Sequence, residues 1–222
     1  LVFQDSLKGG NQIMPDYAAL KRKVDELAAR EWDVPALEAR IKKLAKDGIP
    51  RKKLDPKEML ANKQQILDRL QLRAEEYNFI LKNCAQATAL TLMEEFGQGN
   101  MEIIKALSPF PGIGSTGEVC GGISGSLINF GLYFGSDNPL DYDAKGLTIM
   151  NSQKFIALFE EAIGHRHCAK IIETVTIGYK LNPGESEEAM MTFAKEKGFE
   201  KCGLVPGTAV RLAAGLIIDS MK

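Results

Sequence analysis

Between residues 15 and 30 the apolar positions Tyr17, Leu20, Val24 and Leu27 recur at spacings of three and four, which places them on one stripe of a helix. Leu37, Ile41 and Leu44 repeat the pattern in a second, shorter segment with Pro35 in its first turn and a stop at Gly48-Ile49-Pro50. Asp55-Pro56-Lys57-Glu58 is a start signal: Asp caps, Pro suits the first helical position, and Glu58 stands where it closes a capping box. One long helix to about Lys82 is predicted from there. Asn83 interrupts it, and residues 85–96 resume with an Ala- and Leu-rich helical stretch that ends at Gly97. Further amphipathic runs lie near residues 103–107, 123–133, 152–163, 169–177, 186–195 and 209–221.

The one strand candidate is ETVTIGY, residues 173–179, too isolated to build a sheet. Gly and Pro clusters at 97–100, 109–117, 135–139, 182–184 and 198 punctuate the helices without a fixed repeat. Residues 1–12 lack periodicity and read as a poorly ordered arm. The pattern predicts an all-α helical bundle with an N-terminal helical extension, residues 1–72 being the extension and 73–222 the cysteine-containing domain.

With 222 residues and 45% hydrophobic content the chain can bury one large core or two modest ones. A formal net charge of −1 gives no overall attraction to nucleic acid or to an anionic membrane, so neither is an expected partner. Charge is uneven: residues 1–83 carry 17 Lys/Arg against 13 Asp/Glu, and the remainder carries 11 against 16. No run of about 18 apolar residues predicts a membrane span. Without a leader pattern the expected location is the cytoplasm, with export after loss of a leader as the alternative for a chain that begins at Leu1.

Residues 110–127, FPGIGSTGEVCGGISGSL, hold six glycines and one cysteine. Gly112 to Gly117 fits G-x-G-x-x-G letter for letter, but two prolines precede it where a dinucleotide fold needs a buried strand. Glu118 stands where a P-loop needs Lys and would repel phosphate. The glycines instead allow backbone amides to approach a sulfur ligand or a bulky inorganic centre, or simply allow two helices to pack closely.

Cys84, Cys120, Cys168 and Cys202 occur in the contexts NCAQ, VCGG, HCAK and KCGL, with no CxxC pair. Each is followed at once by Ala or Gly and stands near the start of a predicted apolar helix. There the helix dipole and free N–H groups favour a thiolate. Four such positions aimed at one anionic object suit an iron–sulfur cluster. The same residues also serve as unrelated buried thiols, as disulfides, or as a zinc site. His165 and His167, the only histidines, flank Arg166 beside Cys168. They fit either the end of the preceding helix or, for His167, the surroundings of a sulfur ligand. C-x-x-C-H is absent, so no covalent haem is expected, and no Ser-His-Asp arrangement or nucleophile elbow is readable.

NCAQATALTLMEEFG, FPGIGSTGEVCGGISGSLINFGLYFG, FEEAIGHRHCAKII and KCGLVPGTAVRLAAGLI resemble the redox-active family named for its cysteine pattern, C_GCAxxG_C_C. The resemblance covers roughly residue 73 to the C-terminus, and TGEVCGGISG is its most specific part. Asn83 departs from the glycine usual before the first cysteine, and the haem-attachment sequences of the related split-Soret-type cytochromes are missing. What the resemblance implies is a helical, redox-active domain in which Cys84, Cys120, Cys168 and Cys202 hold an iron–sulfur cluster, 2Fe–2S ahead of 4Fe–4S. Gly117, Gly121 and Gly122 would give backbone access, and His167 would sit just behind the ligands. The implied role is electron transfer with a redox partner protein in an anaerobic or redox-stressed metabolism, the N-terminal helices bracing the domain or pairing two copies. No group identifies itself as a catalytic acid or base, so turnover of a substrate is not predicted. Two rival readings need no cluster: a metal-free thiol–disulfide redox protein or sensor, and an interaction protein whose cysteines are inert core.

Overall fold

The computed structural model describes residues 15–222, so the arm expected at residues 1–12 lies outside the described residues. Among the described residues there is no strand, and the chain is all-α. α1 (Tyr17–Ala29) and α2 (Val34–Asp47) start where the sequence places them, with Asp16 and Asp33 accepting from the N–H groups of Ala19 and Ala36. Asp55 likewise caps α3 (Pro56–Ala61).

The long helix expected from residue 55 to Lys82 is broken. Asn62 leaves helical geometry at φ −100°, ψ 13°, and α4 (Lys63–Leu81) restarts after it. Asparagine competes poorly for helix interiors, so a strong start signal does not carry the helix through it. α4 ends on Lys82 in the left-handed region (φ 53°), Asn83 caps α5 (Cys84–Phe96), and α6 (Met101–Ala106) follows. α7 (Gly112–Ser115) is a single distorted turn, and α8 (Gly121–Phe134) leads to α9 (Tyr142–Ile163). α9 begins ten residues earlier than residue 152 because Asp141 caps it, accepting from the Ala144 N–H at 3.0 Å. Its early residues Leu147, Ile149 and Met150 are exposed and carry no buried stripe to read.

The strand candidate is overturned. α10 (Cys168–Ile171) runs straight into a π-helical turn, Ile172–Thr176. Ile171, Ile172, Val175 and Thr176 are buried, and with no neighbouring strand to pair with, the β-branched residues fold into the wider turn instead. α11 (Glu187–Lys195), α12 (Gly198–Lys201) and α13 (Leu204–Asp219) complete the chain.

α13 runs through the middle of the bundle, packed on α4, α5, α8 and α9. The stretch Gly198–Asp219 is long and apolar enough to cross a membrane by composition alone, but two-thirds of its apolar window is buried against the other helices. α5 and α8 approach closely because Gly125 carries no side chain: a Cβ there would sit 2.6 Å from the Ala85 carbonyl oxygen. The N-terminal helices share this core, Val24, Leu27, Met59, Ile66 and Leu70 packing in one cluster with Ile123, Phe155 and Ala213. They are also tied by charge: Glu75 on α4, 1% exposed, pairs with Arg30 at 2.7 Å and Lys23 at 3.2 Å.

Candidate functional site

Three of the four cysteines stand at a helix start: Cys84 is the first residue of α5, Cys120 caps α8 and Cys168 is the first residue of α10, whereas Cys202 closes the C-terminal end of α12, two positions before α13. Asn83, which departs from the glycine of the family pattern, serves as a cap whose Oδ1 accepts from the Gln86 N–H at 3.0 Å.

Two close approaches gather the thiols. In the first, α8 starts against the start of α5, which sets the Cys84 sulfur beside Gly121, Ala85 and Cys120. A Cβ on Gly121 would stand 2.5 Å from the Cys84 sulfur and 2.7 Å from the Ala85 nitrogen, so only glycine fits. Gly122 donates its N–H to Cys120.

In the second, residues 118–120 run antiparallel to residues 166–168 around an isolated bridge of Val119 with His167. The Cys120 N–H bonds the Arg166 carbonyl at 2.9 Å, and the Cys168 N–H bonds the Glu118 carbonyl at 2.7 Å. Gly117, at φ +86°, extends the pairing by accepting from the Ala169 N–H at 2.9 Å, and a Cβ on it would meet the Ala169 Cβ at 2.9 Å. The glycine-rich loop is thus a seat for sulfur: Gly112 packs on Cys168, its Cβ position 3.3 Å from that sulfur. Cys202 joins from α12, within electrostatic reach of Cys168 and Cys84.

The four thiols respond to this crowding in different ways. Cys84 is held below the ordinary thiol range, chiefly by the bond from Cys120, against the opposing effect of burial. Cys120 is raised, first because its proton bridges to Cys84 and then by burial. Burial pushes Cys168 up to about 12, with the nearby Cys84 sulfur adding to it. Cys202 is raised mainly by burial, and the Thr176 hydroxyl opposes that. Among the described residues no three His, Cys, Asp or Glu side chains gather in an arrangement that would hold a metal ion.

Cys84, Cys168 and Cys202 line a cavity of about 260 Å³, and Cys120 is buried outside its lining. Asn78, Lys82 and Phe199 form part of the remaining wall. Lys82 rests over the Phe79 and Phe199 rings, 4.1 and 5.3 Å from their centroids, and burial lowers its pKa. Neither Lys82 nor Asn78 was identifiable from the sequence; a lysine at a helix end and an asparagine inside a helix carry no mark of a cavity wall.

Of the expected site residues, the structure brings together the four cysteines with Gly117, Gly121 and Gly122. The side chain of His167 is exposed and lies outside the cavity wall, and its backbone alone takes part, in the bridge to Val119. The histidines do not finish α9 either. Gly164 does so with its N–H on the Glu160 carbonyl, and Arg166 grips the Glu160 carboxylate at 2.5 and 2.6 Å.

A family model described as "Putative redox-active protein (C_GCAxxG_C_C)" matches residues 82–216, a span that contains all four cysteines. No curated protein and no solved structure matches the chain.

Proposed function

The chain belongs to the redox-active C_GCAxxG_C_C family, and from that premise we propose that its four cysteines hold one iron–sulfur cluster used for electron transfer. The observation that carries this reading is that Cys84, Cys168 and Cys202, from three separate helices, line one partly enclosed cavity, with Cys120 buried beside Cys84. The donor set fits: cysteine thiolates are the usual ligands of both 2Fe–2S and 4Fe–4S centres, and a polynuclear centre accepts ligands spread around it. Such a centre supplies one-electron uptake and release at a potential set by its surroundings.

The protein's own residues have definable tasks in this reading. Cys84, Cys120, Cys168 and Cys202 bind as thiolates, which removes the cost of crowding four buried thiols together. The N–H groups of Gly121 and Ala85 at Cys84, and of Gly122 at Cys120, stabilise negative sulfur. Phe193 and Phe199 limit water on the cavity side, the side on which electrons would enter and leave through a partner protein docked there. α1 to α3 brace the domain, since their apolar faces are already spent on this chain's own core. A reducing compartment such as the cytoplasm suits four free thiols.

A second reading is favoured by one contact, the bond between the Cys120 thiol and the Cys84 sulfur. There the pair forms a reversible disulfide, losing two protons and two electrons to a disulfide-bearing partner. Iron and acid-labile sulfide, measured with the visible spectrum of protein purified without oxygen, separate the two. Matching iron and sulfide support the cluster. Iron-free protein that also fails anaerobic reconstitution, and that loses two titratable thiols on oxidation, supports the disulfide.

A further inference from the structure

α5 begins at Cys84, and a second cavity of about 260 Å³ lies at its other end. Arg40 of α2, Lys52 of the link to α3, and Arg69 and Arg73 of α4 line it with Glu94 and Glu95 of α5. Four cations therefore share one concavity with two carboxylates. Even with Glu76 counted, which pairs with Arg73, the cations outnumber the carboxylates by four to three. All four cations precede residue 82, where the family match begins, so they belong to this chain's N-terminal part. They also account for some of the basic excess of residues 1–83, for which the redox centre has no use.

The carboxylates are already engaged. Glu94 accepts from Arg40 at 2.7 Å and from the Tyr77 hydroxyl, and Arg69 holds Glu95 at 2.8 Å. Donor capacity is left over: Lys52 stands 3.7 Å from Glu95, beyond hydrogen-bonding distance, and the buried Nη1 of Arg73 has no hydrogen-bond partner. The fold holds these cations in place. Gly97, at φ +65°, ends α5 against Lys52, and a Cβ on it would overlap the Lys52 backbone nitrogen. Buried Tyr77 fixes Arg40 by accepting from its Nε at 2.6 Å. Like charges gathered in one concavity repel one another and draw in an anion.

We propose that this cavity binds a phosphate-type oxyanion, either the free ion or the phosphoryl end of a small metabolite. Guanidinium forks match the oxygens of such a group, and lysine adds a point charge. A phosphoryl group presents three oxygens and meets cations from several directions, whereas a carboxylate offers two that a single guanidinium fork fills. The inference stands apart from the cluster reading and gives the N-terminal helices a task besides bracing.

The test is isothermal titration calorimetry of the full chain with inorganic phosphate, glycerol 3-phosphate and acetate at low ionic strength, where charges are least screened. One saturable site for phosphate or its ester is expected, with no saturation by acetate up to about 10 mM. A tighter ester assigns a metabolite, and a tighter inorganic phosphate assigns the free ion. Lys52→Met should weaken binding about tenfold, the worth of one charge-assisted hydrogen bond. Arg73→Lys keeps the charge, loses the fork and should also bind more weakly. Lys42→Met removes the same charge from an exposed place on α2 outside the cavity and should leave affinity unchanged. Equal weakening in the Lys42 and Lys52 variants would reveal diffuse attraction and overturn the site. Folded wild type without saturable binding of either phosphate overturns it too, and acetate binding as tightly as phosphate overturns the assignment of the ligand. If Lys52→Met fails to fold, Arg73→Lys decides, and unchanged affinity there sinks the proposal.

Discussion

Around Phe130, Phe155 and Phe159 the bundle is closed by rings that are 0% exposed, Phe130 meeting Phe155 edge-on at 5.5 Å and Phe155 meeting Phe159 at 6.0 Å. Around Cys84, Cys120, Cys168 and Cys202 it is closed by thiols, left-handed loop residues and a cavity. The first region needs only apolar bulk in well-packed positions, and burial repays its ordering. The second confines four thiols and places Ile113 and Ser115 at positive φ, neither of which a stable helical bundle requires. Strain of this kind, gathered where reactive groups converge, marks the part of the chain that serves chemistry.

Four substitutions separate the two regions, from the strongest expected effect to the weakest. Cys120→Ser should abolish iron and sulfide retention almost completely, while far-ultraviolet circular dichroism keeps its helical signal; retained iron at the wild-type level would remove Cys120 from the ligand set. Phe155→Ala should do the reverse. It should cost about 3–5 kcal/mol in urea unfolding and leave the iron content of the folded fraction unchanged. Arg30→Met leaves the buried Glu75 with Lys23 as its one ion-pair partner beside the Gln71 amide and should cost about 2 kcal/mol, again without touching iron content, which tests whether the N-terminal helices act only as a brace. His167→Ala should change neither iron content nor midpoint potential, because the side chain is exposed and the bridge to Val119 is made by backbone. A shifted potential would bring the imidazole back into the centre.

Gly121→Ala tests the boundary between the regions. Its Cβ would displace the Cys84 sulfur or the start of α5, and the expected outcome is at least a several-fold loss of iron with helical content kept. The same change at Gly131, where a Cβ meets nothing within 4 Å, is the matched control and should leave iron content as in wild type.

Helix identity was legible wherever local chemistry decides it. Asp55 caps the helix it precedes, and the spacing of Val24 and Leu27 marks a buried face. The sequence also contained the four cysteines, the places of Cys84, Cys120 and Cys168 at helix starts, and the family pattern that joins them. It could not show that Asn62 ends one helix and begins another, or that residues 172–176 form a π turn, because those outcomes depend on what packs against each segment. Nor could it select Lys82 or Asn78, which enter the cavity wall only once α4 and α12 lie beside the thiols. Periodicity and capping act over a few residues and are written locally; the meeting of Cys84 with Cys120, and of Cys168 with residues 117–120, depends on glycines that let distant backbones touch. That contact is long-range, so the tertiary structure alone decided it.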